Sequence, residues 1–255
     1  MNLKTPATPE QLHDFLVRTL DVRLSDTKAC ASHDTPWDYV RESFFTRRDA
    51  VVWANRGGGK TMAAAVATVL DAIFHPQTQI VILGGSQDQS DRVAEYVRHL
   101  LRRVPKLVHK GTTRRKIRLV NDSVIAMLAQ SEKAVRGTHV QRIRCDELEL
   151  FDEDVWRAIQ FCTIGKKPSP VPAETLDAPA TPKRKRSRPR KHSAAESTAS
   201  EPAPAGDGCD RGTLEVLSTA HKPGGRMVKL IADAREGTYP GRLFSWCLWE
   251  VIERC

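Results

Sequence analysis

The sequence predicts an α/β domain of three layers, with helices on both sides of a mainly parallel sheet. Three observations predict it. Strand-like apolar runs alternate with helix-like runs along most of the chain, the pattern of crossover-connected parallel strands. A glycine-rich turn, Ala54-Asn55-Arg56-Gly57-Gly58-Gly59-Lys60-Thr61, stands between one such strand and one such helix. With 255 residues and 40% hydrophobic content the chain can bury one substantial core.

The elements follow in order. Thr8-Pro9 is a helix start signal, a hydroxyl N-cap before proline, and Leu12, Phe15, Leu16 and Leu20 then recur at helical spacing up to Val22. Trp37 to Phe45 reads as a second short helix, which completes a helical lead-in over 1–48. The core is expected over 49–164 and 213–255. Ala50-Val51-Val52-Trp53 is its first strand, and Met62 to Phe74 the helix beyond the glycine-rich turn. Gln79 to Gly84 is a buried strand. Ser86 to Arg103 is a helix with Val93, Tyr96, Val97, Leu100 and Leu101 on its inner face. Lys116–Leu119 and Ser123–Leu128 flank Asn121-Asp122 as a hairpin would.

Val140 to Glu147 alternates apolar and polar residues before ending in two carboxylates. A fully buried parallel strand is expected to be apolar throughout, so Arg142 and Arg144 predict a sheet edge or a wet face. A helix over Glu153 to Cys162 comes next. Past residue 212, Thr213 to Thr219 is a strand, Pro223 to Arg235 a loop and helix, Leu243 to Leu248 a strand, and Trp249 to Arg254 a short helix. Most of the tryptophans are expected in the core.

Between these parts the composition changes. Residues 165–212 are rich in Pro, Ala, Ser, Thr and charge and almost lack large apolar side chains. Such a segment cannot bury enough surface to offset its ordering entropy, so it is predicted to be a disordered insertion. It also holds seven positive charges between Lys183 and Lys191, much of the net +9. A solvated linker, an electrostatic arm on nucleic acid and an import-like signal all fit that run. A second basic stretch includes Arg114, Arg115 and Lys116, and is either a solvated hairpin or a DNA-facing surface. The charge favours an acidic polymer as partner. No apolar run approaches the ~20 residues of a membrane span, and no signal-peptide core follows Met1, so a cytoplasmic protein without a membrane partner is expected. The six cysteines are scattered without a Cys-x-x-Cys pair, and the histidines lack metal-ligand spacing. Neither zinc nor a disulfide framework is expected.

The glycine-rich turn carries the chemistry. A phosphate-binding loop needs Gly, four residues, then Gly-Lys-Ser/Thr; here Ala54 stands at the first glycine and the rest fits. Glycines let successive N–H groups point at phosphate oxygens, and the helix N-terminus adds its dipole. Asn55, Arg56, Gly57, Gly58, Gly59, Lys60 and Thr61 would therefore cradle a nucleotide. Lys60 would reach the β- and γ-phosphates, and the Thr61 hydroxyl would bind Mg²⁺. A P-loop predicts a partner strand ending in an acid. Asp146 would hold the magnesium and Glu147 would polarise the attacking water. An adenine pocket is expected just before the loop, near Phe45 to Asp49.

The ordered set of motifs resembles the ATPase domain of large terminase subunits, the motors that package viral DNA. The loop at 54–61 has that family's early Arg. Val81-Ile82-Leu83-Gly84-Gly85-Ser86-Gln87 is similar to its second-strand segment, and Val135-Arg136-Gly137-Thr138-His139 to its Arg-Gly element. Cys145-Asp146-Glu147-Leu148-Glu149-Leu150-Phe151 resembles its acidic motif, and Leu217-Ser218-Thr219-Ala220-His221 its coupling motif. The resemblance covers most of Ala50 to Gly225 apart from the insertion. It implies a cis-acting or sensing role for Arg56, and coupling of γ-phosphate loss to DNA movement by Ser218 and Thr219. Arg136 is a candidate DNA contact, or else a solvated loop residue.

The resemblance further implies Mg²⁺-dependent ATP hydrolysis driving double-stranded DNA, in a viral or prophage setting. A small terminase subunit, a portal protein and a homo-oligomeric ring are the implied partners. The family's usual nuclease domain has no counterpart after Gly225, so no DNA cleavage is expected from this chain. Two alternatives stay open. A helicase-like translocase would want a second motor domain, and a non-catalytic remnant would bind nucleotide or DNA without turnover.

Overall fold

The computed structural model describes residues 3–129, 140–162, 212–220 and 222–251. Residues 165–211 of the expected insertion, Arg136 and His221 lie outside the described residues. The chain divides into one unit of Met1–Gly165 with Arg211–Cys255 and a second of Lys166–Asp210, the latter entirely undescribed.

The described unit is built on a seven-stranded sheet of β1 (Ala50–Ala54), β2 (Gln79–Gly84), β3 (Lys116–Arg118), β4 (Val124–Ala129), β5 (Arg142–Asp146), β6 (Thr213–Ser218) and β7 (Arg242–Trp246). Their spatial order is β3-β4-β2-β5-β6-β1-β7. Every pairing is parallel except β3 with β4, where Ile117 faces Ile125 in the expected hairpin. Asp122 takes φ +64 in that turn, a left-handed conformation that Asp tolerates better than most residues.

The helices are α1 (Pro9–Phe15), α2 (Pro36–Thr46), α3 (Lys60–Phe74), α4 (Gln87–Leu101), α5 (Glu153–Cys162) and α6 (Arg226–Arg235). Thr8 caps α1 as expected, and the helix widens to a π-helical turn over Leu16–Leu20. Thr35 with Asp38 and Ser86 with Gln89 form capping boxes on α2 and α4. Because strand side chains alternate, the sheet feeds two cores. Val52, Ile80 and Ile82 pack with α1 to α4 on one face, while Val51, Val81, Leu83 and Ile143 pack with α5 and α6 on the other. The run of alanines on α3 lets that helix lie close to the sheet, and 13 of its residues from Lys60 to Phe74 are buried.

Four expectations need correction. Tyr96 is 44% exposed, because it lies at the rim of the apolar stripe of α4. The last strand stops at Trp246, and a 3₁₀ turn covers Leu248–Glu250 where strand end and helix were expected. Trp249 is 68% exposed, unlike the core tryptophans Trp156 and Trp246. The fourth concerns β5, which is neither an edge nor wet. It lies between β2 and β6, and Arg142 and Arg144 are almost wholly buried.

Those two arginines are accommodated by partners far away in sequence. Arg142 meets Asp71 at 3.0 Å and Glu215 at 3.2 Å; Arg144 meets the same two carboxylates at 2.6 and 2.8 Å. Tyr39 and Ser43 donate to Glu215 at 2.5 and 2.7 Å, and the guanidinium groups also donate to Thr213 and Thr68 at 2.7 and 3.2 Å. Burial raises the Asp71 pKa, but the two guanidinium charges outweigh it and hold the carboxyl below its ordinary value. The result is a neutral, cross-linked polar core between β5, β6, α2 and α3.

Candidate functional site

The glycine-rich loop leaves the C-terminal end of β1 and enters α3. Gly57 and Gly59 have φ of +80 and +73, which L side chains rarely adopt. A Cβ on Gly58 would stand 2.9 Å from the Asn55 carbonyl, so this position needs its glycine for space. Trp246 at the end of neighbouring β7 donates its indole N–H to the Gly58 carbonyl at 2.6 Å and braces the loop.

Lys60 is buried, and its ammonium donates to the carbonyls of Ala54 and Asn55, both at 3.0 Å. Burial holds its pKa below the ordinary value, against the pull of Glu147 and Asp146. The Thr61 hydroxyl donates to Asp146 Oδ2 at 3.1 Å. The other Asp146 oxygen is buried and has no hydrogen-bond partner. Burial first, and the neighbouring Glu147 charge second, push the Asp146 pKa up to about 6.

Glu147 follows at the end of β5 in a left-handed conformation, φ +58 and ψ +55. For a non-glycine residue this costs of order 1–3 kcal/mol, and such outliers cluster at functional sites. Its N–H donates to the Leu217 carbonyl at 2.9 Å, which fixes the turn against β6. Glu149, two residues on, has a different task. It is buried and accepts the Met227 N–H at 2.8 Å at the start of α6, where a carboxylate suits the helix N-terminus.

A cleft of about 750 Å³ opens over these groups. Its walls bring together Asn55, Arg56, Thr61, Asp146, Glu147 and Thr219. Thr219 therefore borders the cleft, while Ser218 is fully buried one residue behind. Gln89 and Arg92, on adjoining turns of α4, also line it and were not anticipated. Both lie in the first turns of α4 after the Ser86 cap, but no residue pattern in the sequence marks that face for the cleft. Phe45 to Asp49 are absent from the cleft. They precede β1, whereas the loop follows it.

A family model of the terminase large subunit ATPase domain matches residues 36–169, just over half of the chain. The chain belongs to that family. Among solved structures, the HK97 bacteriophage large terminase aligns with a TM-score of 0.59 at 14% identity, over 93% of this chain and 43% of its own. The large terminase of a thermophilic bacteriophage aligns with a TM-score of 0.51 at 10% identity, over 82% of this chain and 44% of its own. These likenesses concern the fold, and the chain spans less than half the length of either relative. No curated protein matches it.

Within this terminase ATPase domain Arg114, Arg115 and Lys116, three of the candidate DNA contacts, are not among the residues that line the cleft. Arg114, Arg115 and Lys116 are exposed beside edge strand β3. Five strand spacings, roughly 24 Å, separate that edge from β1. Arg114 pairs with Asp91 of α4 at 2.9 Å. No described helix is long and apolar enough to cross a membrane.

Proposed function

We propose that this terminase ATPase domain binds Mg²⁺ and ATP in the cleft above the 54–61 loop and uses hydrolysis to drive double-stranded DNA. One observation carries the reading. Asp146 hydrogen-bonds Thr61 through one oxygen and keeps the other buried without a partner, beside the P-loop lysine and a strained Glu147. An orphaned hard oxygen donor next to a hydroxyl fits a magnesium ion. When bound, Mg²⁺ neutralises phosphate charge.

The chain's own residues supply the rest. Lys60 exchanges its two carbonyl partners for phosphate oxygens, which its ammonium binds more strongly. The N–H groups of 57–61 bind the phosphates at the start of α3. Glu147 orients the attacking water and accepts its proton. Arg56, exposed on the cleft wall, stabilises the charge that develops on the transferred group. Thr219 senses loss of that group at the cleft, and Ser218 passes the change into β6, between the two active strands.

Arg114, Arg115, Lys116 and Arg136 are proposed to contact the DNA backbone. The domain boundaries proposed are 1–48, the core at 49–164 and 213–255, and the insertion at 165–212. Assembly as a ring with a small subunit and a portal protein is part of the same proposal, as is action in the host cytoplasm.

The test is ATP hydrolysis by the purified chain, with and without linear double-stranded DNA, beside Glu147→Gln. The expected result is Mg²⁺-dependent turnover that rises with DNA and is lost in the variant. Turnover no greater than in the variant, from a folded protein, would leave a nucleotide- or DNA-binding remnant instead.

A further inference from the structure

The cysteines and histidines scattered in sequence are not all scattered in space. Cys30, His33, Cys247 and Glu250 present one donor atom each, and these atoms all lie within 4.8 Å of one another. The cluster lies outside the nucleotide cleft. It joins the segment between α1 and α2 to the turn that follows β7.

The two halves share one local geometry. In the first, the His33 N–H donates to the Cys30 carbonyl at 3.0 Å; in the second, the Glu250 N–H donates to the Cys247 carbonyl at 3.4 Å. Each half is thus a tight turn that places a cysteine at i and a second ligand at i+3 on the same side, the spacing of a metal-binding turn. The halves are also tied to each other. Glu250 is buried and accepts the Cys30 N–H at 3.0 Å and the Cys247 N–H at 2.8 Å, and it lies 3.1 Å from His33 Nδ1. Cys30 and Cys247 are free thiols, half-buried, so an ion can reach them.

We propose that these four residues form a structural Zn²⁺ site of Cys-x-x-His and Cys-x-x-Glu halves. Two thiolates, an imidazole and a carboxylate suit a borderline-soft ion and disfavour Mg²⁺. Around tetrahedral zinc, donor atoms stand roughly 3.3–3.8 Å apart, so the present cluster closes with about an ångström of side-chain movement. Cys-x-x-Cys spacing does not reveal it, because each half carries only one cysteine and the halves are 217 residues apart.

The site has a mechanical consequence for the loop. Its second half sits between Trp246, which holds the Gly58 carbonyl, and Val251. Leu248, inside that half, lies against Gly57, where an added Cβ would meet its Cδ1 at 3.6 Å. Bound zinc fixes the wall behind the phosphate-binding loop.

The full chain, purified without chelator, is assayed for zinc by elemental analysis and titrated with Co²⁺ as an optical probe. Roughly one zinc per chain and a thiolate-to-cobalt absorption band are expected. Cys30→Ser and Cys247→Ser each lose the band, while Cys209→Ser with Cys255→Ser keeps it. Chelation lowers the melting temperature of the parent chain, independently of whether ATP is hydrolysed. Zinc below about a tenth of an equivalent together with no Co²⁺ band from folded parent chain would overturn the site. So would an unchanged band in a folded Cys30→Ser, Cys247→Ser double variant. Loss of two titratable thiols without metal, with a mass consistent with a disulfide, would overturn it as well.

Discussion

Arg144 and Asp146 are successive residues on one face of β5, roughly 7 Å apart, yet they belong to opposite kinds of polar site. Around Arg142 and Arg144 two positive and two negative charges cancel, and hydroxyls from α2, α3 and β6 take up most of the remaining valences; only Arg142 Nε is left over. At Asp146, two carboxylates adjoin one lysine, and an oxygen is left buried without a partner. Charge that is paired inside a protein is architecture; charge that is left short is a place for something else to bind.

The largest effect expected from breaking this contrast is on the paired side. Glu215→Ala leaves two buried guanidinium groups sharing the single carboxylate of Asp71, one charge unpaired, and should cost about 3–5 kcal/mol. Thermal unfolding should show it as a drop of roughly 10 °C in melting temperature. Replacing Arg142, Arg144, Asp71 and Glu215 together by apolar residues of similar volume should cost less, because no charge is then stranded. A larger loss in the quadruple variant would deny that pairing is what makes this core tolerable.

On the open side the effect should fall on function. Lys60→Ala should lower turnover by roughly 10²–10³, with the melting temperature little changed. A comparable stability loss without loss of turnover would show that Lys60 mainly braces the loop carbonyls it now holds. Asp146→Asn sharpens the contrast by sign. It removes a buried, under-satisfied carboxylate and should raise stability slightly, by about 1 kcal/mol, while removing Mg²⁺-dependent turnover. The denaturant midpoint and the rate, measured on one preparation, separate the two consequences.

The last effect concerns pH. His75 follows α3 beside the ion cluster, and burial first, then Arg47, holds its pKa at about 4 against the opposing pull of Asp71. Its folded value lies below the unfolded one of about 6.5, so the unfolded chain binds the extra proton first. Stability should therefore decline as pH falls from about 6.5 towards 4. His75→Gln should flatten that part of the urea-midpoint profile, and an equal slope in the variant would assign the decline to other groups.

Much of the fold was legible because local physics speaks for it. Thr8, Thr35 and Ser86 cap the helices they precede, and apolar runs mark β1, β2 and β4. The glycine-rich loop, Asp146 and Glu147 were singled out by their residue types and spacing, and the structure brings Thr61 of the loop and both carboxylates to one cleft. Arg142 and Arg144 misled because a strand's neighbours decide whether a charge on it is wet, and those neighbours lie on α3 and β6. Gln89 and Arg92 were missed because only the docking of α4 turns them into the cleft.

By itself, then, the sequence determined the alternation of strands and helices, the glycine-rich turn between β1 and α3, and the acidic strand end. Those depend on backbone conformation and on residues a few positions apart. The tertiary structure alone decided which charges are paired, which carboxylate oxygen is left open, and which cysteines meet. These depend on side chains brought together by the sheet order β3-β4-β2-β5-β6-β1-β7, which no short-range pattern encodes.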